Sequence, residues 1–185
     1  MIRTPPFPVR PGPDLATPAL LRERGFRLRD AADADLPRLK QLYADTRAEE
    51  MAWMPWPPEA KQAFLDQQFH FQHLHYLSHD PDADFLVIEH EGVVQGRYYL
   101  QRSTPEFRVI DICLMAEFRG RGLGRALLED SLRNARAQGR GMALEVLVTN
   151  QRAQRLYEAL GFVVHESTQT HHFMRWVDGA GCRVA

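Results

Sequence analysis

The stretch that most limits what this chain can become is Leu114-Met115-Ala116-Glu117-Phe118-Arg119-Gly120-Arg121-Gly122-Leu123-Gly124-Arg125. An apolar strand pattern ends there, three glycines fall at alternate positions, and a helical pattern begins at once. Glycine lets a backbone approach a ligand closely and take positive φ. The amides of a first helical turn have no internal acceptors and carry the positive end of the helix dipole. Together these features form an anion site suited to a pyrophosphate. A P-loop would need lysine and then a hydroxyl residue after the last glycine, but Arg125-Ala126 follow. A dinucleotide fingerprint would need G-x-G-x-x-G and an acidic residue ending the next strand; here the spacing is G-x-G-x-G and the next strand ends in Val148-Thr149-Asn150. The bland alternative is a turn that binds nothing, and three glycines at a helix start would then weaken it without return.

The rest of the chain supplies a frame for that loop. Phe26-Arg27-Leu28-Arg29 alternates as a short strand does, and Asp33 is placed to cap a helix with Leu36, Leu39, Leu42 and Tyr43 on one face. Pro55, Pro57 and Pro58 precede a second helix running to about Leu77. Asp84–Glu89, Val93–Leu100 and Val109–Met115 read as strands, with Glu91-Gly92 as the turn between the first two. A helix from Gly122 to about Ala137 leads to a buried strand, Met142–Val148. Asn150 then caps a helix that Gly161 ends, and strands Phe162–Glu166 and His171–Trp176 follow. The order β-α-α-β-β-β-α-β-α-β-β predicts an α/β fold: a central mixed sheet flanked by helices. The expected division is a loose, proline-rich arm over 1–24 with a short helical turn near Leu20 and Leu21, one domain over 25–178, and a tail over 179–185.

Composition narrows the function classes. A net charge of -1 supplies no broad basic field for nucleic acid or anionic lipid. No segment is apolar for long enough to span a membrane. Cys113 and Cys182 are the only cysteines and show neither a disulfide framework nor zinc spacing, which favours a reducing compartment, with the cytoplasm as default. His70, His73 and His75 do not make the i, i+4 pair of a helical metal site and no acidic partner stands at metal spacing, so no metal is expected.

Two motifs carry a family resemblance. Arg119-x-x-Gly122-x-Gly124 resembles the R/Q-x-x-G-x-G/A loop of the GNAT acetyltransferases, and Asn150-x-x-Ala153-x-x-Leu156-Tyr157-Glu158-x-Leu160-Gly161-Phe162 resembles the family's other signature. Ala116 stands where the family often has proline. The resemblance runs from about Phe26 to Val177. It implies a transferase that moves the acetyl group of acetyl-coenzyme A to a primary amine, by direct attack in a ternary complex. It also implies that Arg119, Gly120, Arg121, Gly122, Leu123, Gly124 and Arg125 hold the pyrophosphate. Ile112, Cys113 and Leu114 would pair through their backbone with the pantetheine arm, and Asn150 would bond that arm while capping its helix. The alternative in a different class is a coenzyme-A-binding regulatory module without chemistry. The acceptor, a small molecule or a protein N-terminus, is left open, as is a homodimer.

Acetylating an amine needs a base for the ammonium and an acid for the departing thiolate. Glu145 interrupts Met142-Ala143-Leu144-Glu145-Val146-Leu147-Val148, a strand otherwise apolar on both faces, so its carboxylate needs a partner, water or a function. The resemblance places a base here, with burial raising its pKa; the competing reading is a carboxylate paired with an arginine. Asp111, between Ile110 and Ile112, is the second candidate. Tyr157 is where the family has a tyrosine that donates to sulfur, though it also falls on the apolar stripe with Leu156 and Leu160. The acceptor wall would include Glu49, Glu50, Trp53, Trp56, His70, His73, His75 and Tyr76, with His171 and His172 facing solvent or packing.

Overall fold

In Phe85-Leu86-Val87-Ile88 every side chain is buried, and successive residues must point to opposite faces of a strand. Phe85 and Val87 pack in one apolar cluster and Leu86 and Ile88 in another, so both faces of the sheet carry a core. The computed structural model describes residues 4–8, 15–103 and 105–176. Its helices are α1 (Ala19–Glu23), α2 (Leu36–Thr46), α3 (Ala48–Ala52), α4 (Pro58–His79), α5 (Leu123–Ala137) and α6 (Gln151–Ala159). Its strands are β1 (Phe26–Asp30), β2 (Asp84–His90), β3 (Val93–Gln101), β4 (Phe107–Leu114), β5 (Met142–Leu147), β6 (Val163–Ser167) and β7 (His171–Trp176).

The strands form one sheet in the order β1-β2-β3-β4-β5-β7-β6. Neighbours are antiparallel except β4 and β5, which run parallel because α5 connects them. Leu123, Leu127, Leu128, Leu132 and Ala135 turn the inner stripe of α5 onto one face, beside Leu21 of α1 and Tyr157 of α6. Tyr98 and Ser131 share a buried hydrogen bond of 2.7 Å that ties α5 to β3. On the other face Leu39, Leu42 and Tyr43 of α2, Met51 of α3 and Leu65 and Phe69 of α4 cover Val87, Val94 and Tyr99. Among the described residues no helix is long and apolar enough to cross a membrane.

Three expectations change. Residues 4–8 are not a loose arm: Phe7 is 8% exposed and sits in the second cluster, edge-on to His73 at 4.8 Å. The Phe7 amide donates to Asp33 Oδ1 at 2.8 Å, and His73 Nε2 lies 2.9 Å from the Pro5 carbonyl oxygen. Asp33 therefore anchors the N-terminal segment instead of capping α2, which is preceded by a 3-10 turn over Asp33–Asp35. The short helix α3 is an addition to the two helices expected between the first and second strands. Residues 9–14 and the tail, with Pro11, Pro13 and Cys182, lie outside the described residues.

Candidate active site

Strands β4 and β5 pair only at Phe107↔Met142, Arg108↔Ala143 and Val109↔Leu144. Beyond Val109, β4 turns through a bulge against β3, with the register slipping between Tyr99 and Leu100, and the two parallel strands part. The opening forms a cleft of about 650 Å³ lined on the β4 side by Ile110, Asp111, Ile112 and Cys113, and on the β5 side by Glu145, Val146 and Leu147. Tyr43, Glu50 and Tyr76 close it from the second-cluster face, and Asn150, Tyr157 and His171 from the far side.

At the strand end above the cleft, Gly120 and Gly122 take φ of +76° and +81°. Only glycine enters this region without strain, so the turn requires them. No backbone amide from Gly120 to Arg125 donates to a described residue; the first helical bond is Ala126 N to the Gly122 carbonyl at 3.0 Å. A run of unpaired amides at the start of a 15-residue helix is a ready anion cradle. Arg119 is already engaged: its Nε donates to the Leu114 carbonyl at 2.7 Å and its Nη2 pairs with Asp45 of α2. It braces the loop. Arg24 holds the other side through the Arg121 carbonyl. Leu114 and residues 119–125 do not line the cleft; Gly120, Arg121 and Leu123 border a separate hollow beside Phe26, His90 and Phe118.

Asn150 caps α6 as expected, its Oδ1 accepting from Ala153 N at 3.1 Å. Gln154 clamps the same turn to β5 by donating to the Leu147 and Val148 carbonyls at 2.9 and 3.0 Å. This clamp fixes Tyr157 one turn further on. Tyr157 is buried, with its ring 6.0 Å from that of Phe162. Its hydroxyl bonds to no described residue and is not among the sealed polar atoms, so it opens on the cleft. Burial, with a smaller contribution from the Asp111 charge, pushes the phenol up to about 12. The phenol therefore keeps its proton near neutral pH. Burial likewise pushes the Cys113 thiol up to about 12, which removes it as a nucleophile.

Glu145 departs from expectation. It lies opposite Phe173 of β7 but is exposed in the cleft, so the burial expected to act on its carboxylate is absent. The competing pairing with an arginine is absent too: it has no ion pair among the described residues. Asp111 is the engaged carboxylate, accepting from Arg97 Nη2 at 2.5 Å and from the Tyr76 hydroxyl at 3.0 Å. Of the expected acceptor wall, Glu50, His75 and Tyr76 reach the cleft, whereas Glu49, Trp53, Trp56, His70 and His73 do not. Arg47, Gln72, Asp80, Arg97, Arg108 and His171 line it without having been singled out for it. Arg97 has a visible signal, since it is the one charge in the strand Val93–Leu100, as Glu145 is in its own strand. Among the described residues no group of three metal-ligating side chains occurs.

The profile of the Acetyltransferase (GNAT) family matches residues 39–162, and the chain belongs to that family. It is 37% identical over 88 residues to N-alpha-acetyltransferase 40 of Saccharomyces cerevisiae, covering 43% of this chain and 31% of that protein. It is 32% identical over 109 residues to N-alpha-acetyltransferase RimI of Mycobacterium tuberculosis, covering 58% of this chain and 61% of that one. The match thus spans less than two thirds of the length of either relative. Its fold is shared with the PaiA N-acetyltransferase of Thermoplasma acidophilum, solved with coenzyme A, at a TM-score of 0.61 and 17% identity over 81% of this chain and 97% of that one.

Proposed function

We propose that this chain is an N-acetyltransferase that takes the acetyl group of acetyl-coenzyme A and gives it to a primary amine in a ternary complex. The observation that carries the reading is the run of unpaired amides at the start of α5, which follows β4, the strand whose parting from β5 forms the cleft. The amides of Gly120–Arg125 suit a pyrophosphate, with Arg119 holding their loop in shape. The unpaired edges of Ile112 and Cys113, with Asn150 opposite, suit an amide-bearing arm lying in the gap. When bound, acetyl-coenzyme A supplies an acyl group activated as a thioester. Glu145 attracts the acceptor ammonium and takes up its proton, directly or through a water, which frees the nitrogen lone pair. Tyr157 gives its hydroxyl proton to the departing sulfur, and its high pKa keeps that proton in place at neutral pH. We assign this work to one domain over 25–178, against which α1 and residues 4–8 pack, acting in the cytoplasm.

An acceptor screen that detects the free thiol, followed by mass spectrometry of the product, tests the proposal. Release of thiol only in the presence of an amine that gains an acetyl group supports it. A rise in melting temperature with acetyl-coenzyme A, but no turnover across the panel, would instead identify a coenzyme-A-binding module without chemistry.

A further inference from the structure

The charges of the cleft are arranged in pairs, with one left over. Arg47 pairs with Glu50, Arg97 with Asp111 and Arg108 with Asp80, while Glu145 has no cationic partner among the described residues. Arg97 is the deepest of the three cations, at 5% exposure on β3 opposite Cys113. The guanidinium's hydrogen bonds to described residues both pass through Nη2, to Gln72 Oε1 at 2.7 Å and to Asp111 Oδ2 at 2.5 Å. Its Nε is sealed from solvent and has no partner. Its Nη1 also bonds to no described residue, but it is not sealed, so it opens on the cleft that Arg97 lines. The rings of Tyr99 and Tyr76, 5.5 and 6.0 Å from Cζ, flank the guanidinium and hold its plane. A buried guanidinium normally satisfies most of its five donors, and this one leaves its cleft-facing nitrogen unmatched.

We propose that the acceptor carries a carboxylate close to its reacting amine, with the carboxylate received by Arg97 Nη1 and the ammonium drawn to Glu145. This rests on the acetyl-transfer reading and adds the chemical class of the acceptor. A monoanion fits better than a phosphate, because Asp111 beside Arg97 repels a doubly charged group more strongly. A carboxylate also matches the planar donors of guanidinium, which a lysine in the same place would not reproduce. Two sources share this chemistry: a free amino acid, through its α-carboxylate, and a peptide with an acidic first residue.

The test uses acetylated products as ligands, so that binding is read without turnover. N-acetylalanine is compared with its amide, and the peptide Ac-Glu-Ala-Ala-amide with Ac-Gln-Ala-Ala-amide, by calorimetric titration of the full chain. The acid is expected to bind roughly 10-fold or more tightly than the amide, the size of one hydrogen bond to a charged group. The arm that shows the preference names the source. Arg97→Lys keeps a cation beside Asp111 and should abolish the preference while leaving the acetyl-coenzyme A melting shift in place. Equal binding of acid and amide in both arms overturns the proposal, as does a preference undiminished in a folded Arg97→Lys. Should that variant fail to fold, the wild-type comparison decides alone. An acid preference without acetyl transfer to any amine would overturn the acetyl-transfer reading and leave the carboxylate site standing.

Discussion

Replacing Tyr157 with phenylalanine removes one oxygen and separates chemistry from packing. The ring stays against Phe162, and the lost hydroxyl has no hydrogen bond to a described residue. No buried group is orphaned, so the stability cost should stay within about 0.5 kcal/mol. Proton delivery by a positioned side chain contributes roughly 10²–10⁴-fold, and a thiolate leaves without a proton more readily than an alkoxide or amide, so a loss of about 10² in kcat is expected. The sign of the pH dependence follows from the phenol. With its pKa pushed up to about 12 by burial, it stays protonated across the working range, and the wild-type profile should show no descending limb from this residue below about pH 10. The assay is thiol release at saturating acetyl-coenzyme A and acceptor, with the melting shift recorded in parallel to show that binding survives. A variant with wild-type kcat would return Tyr157 to a purely structural role. A wild-type descending limb near pH 8–9 that disappears in the variant would keep Tyr157 as the acid but refute its raised pKa, because the phenol would then not be held protonated.

Gly122→Glu places a side chain and a negative charge at a φ of +81° in the amide cradle, so the melting shift with acetyl-coenzyme A should vanish; an unchanged shift removes the loop from the site. Glu145→Gln should slow transfer to an ordinary alkylamine but recover much of the rate with a low-pKa amine that needs no base; equal slowness with both would exclude proton acceptance. Phe7→Ala should destabilise by less than the roughly 3–5 kcal/mol of a closed core site, because residues 4–8 can release without opening the sheet. Burial lowers the pKa of His73 beneath Phe7, so the docked state takes up a proton less readily than the unfolded chain. Stability should fall as pH drops below about 6.5, less so in Phe7→Ala; a pH response identical in both chains would detach His73 from this segment.

The elements with strong local punctuation were legible in the sequence. Gly92 carries the Glu91-Gly92 turn at a φ of 76°, Asn150 caps α6, and Gly161 at 92° follows its end, each as its residue type favours. The glycine loop likewise falls between β4 and α5. What escaped depends on contacts distant in sequence. Asp33 has the composition of a cap, but a partner 26 residues away, the Phe7 amide, takes its oxygen. A proline-rich stretch reads as solvated, and nothing local reveals that α2 and α4 leave room for Phe7. Glu145 stands out in the sequence as an acid in an apolar strand, and that pattern implies burial, but the parting of β4 and β5 leaves the position open. Arg97 needed the same argument applied to β3. Its partner Asp111 lies on β4, and only the antiparallel register brings the two together.

The short ladder between β4 and β5 has a consequence for how the fold can change over time. Paired strands are locked at about 4.8 Å, too close for anything to lie between them. Here three rungs fix the base of the fork, and the spacing above them is set by side chains instead of backbone bonds. The bulge in β4 and the Gln154 clamp on β5 govern each prong separately. The gauge of the opening is therefore an adjustable dimension: substitutions at the prongs can widen or narrow it while the amide cradle and the Tyr157 hydroxyl keep their places. Such a scaffold can exchange one cargo for another by small steps, with no intermediate form having to rebuild its sheet.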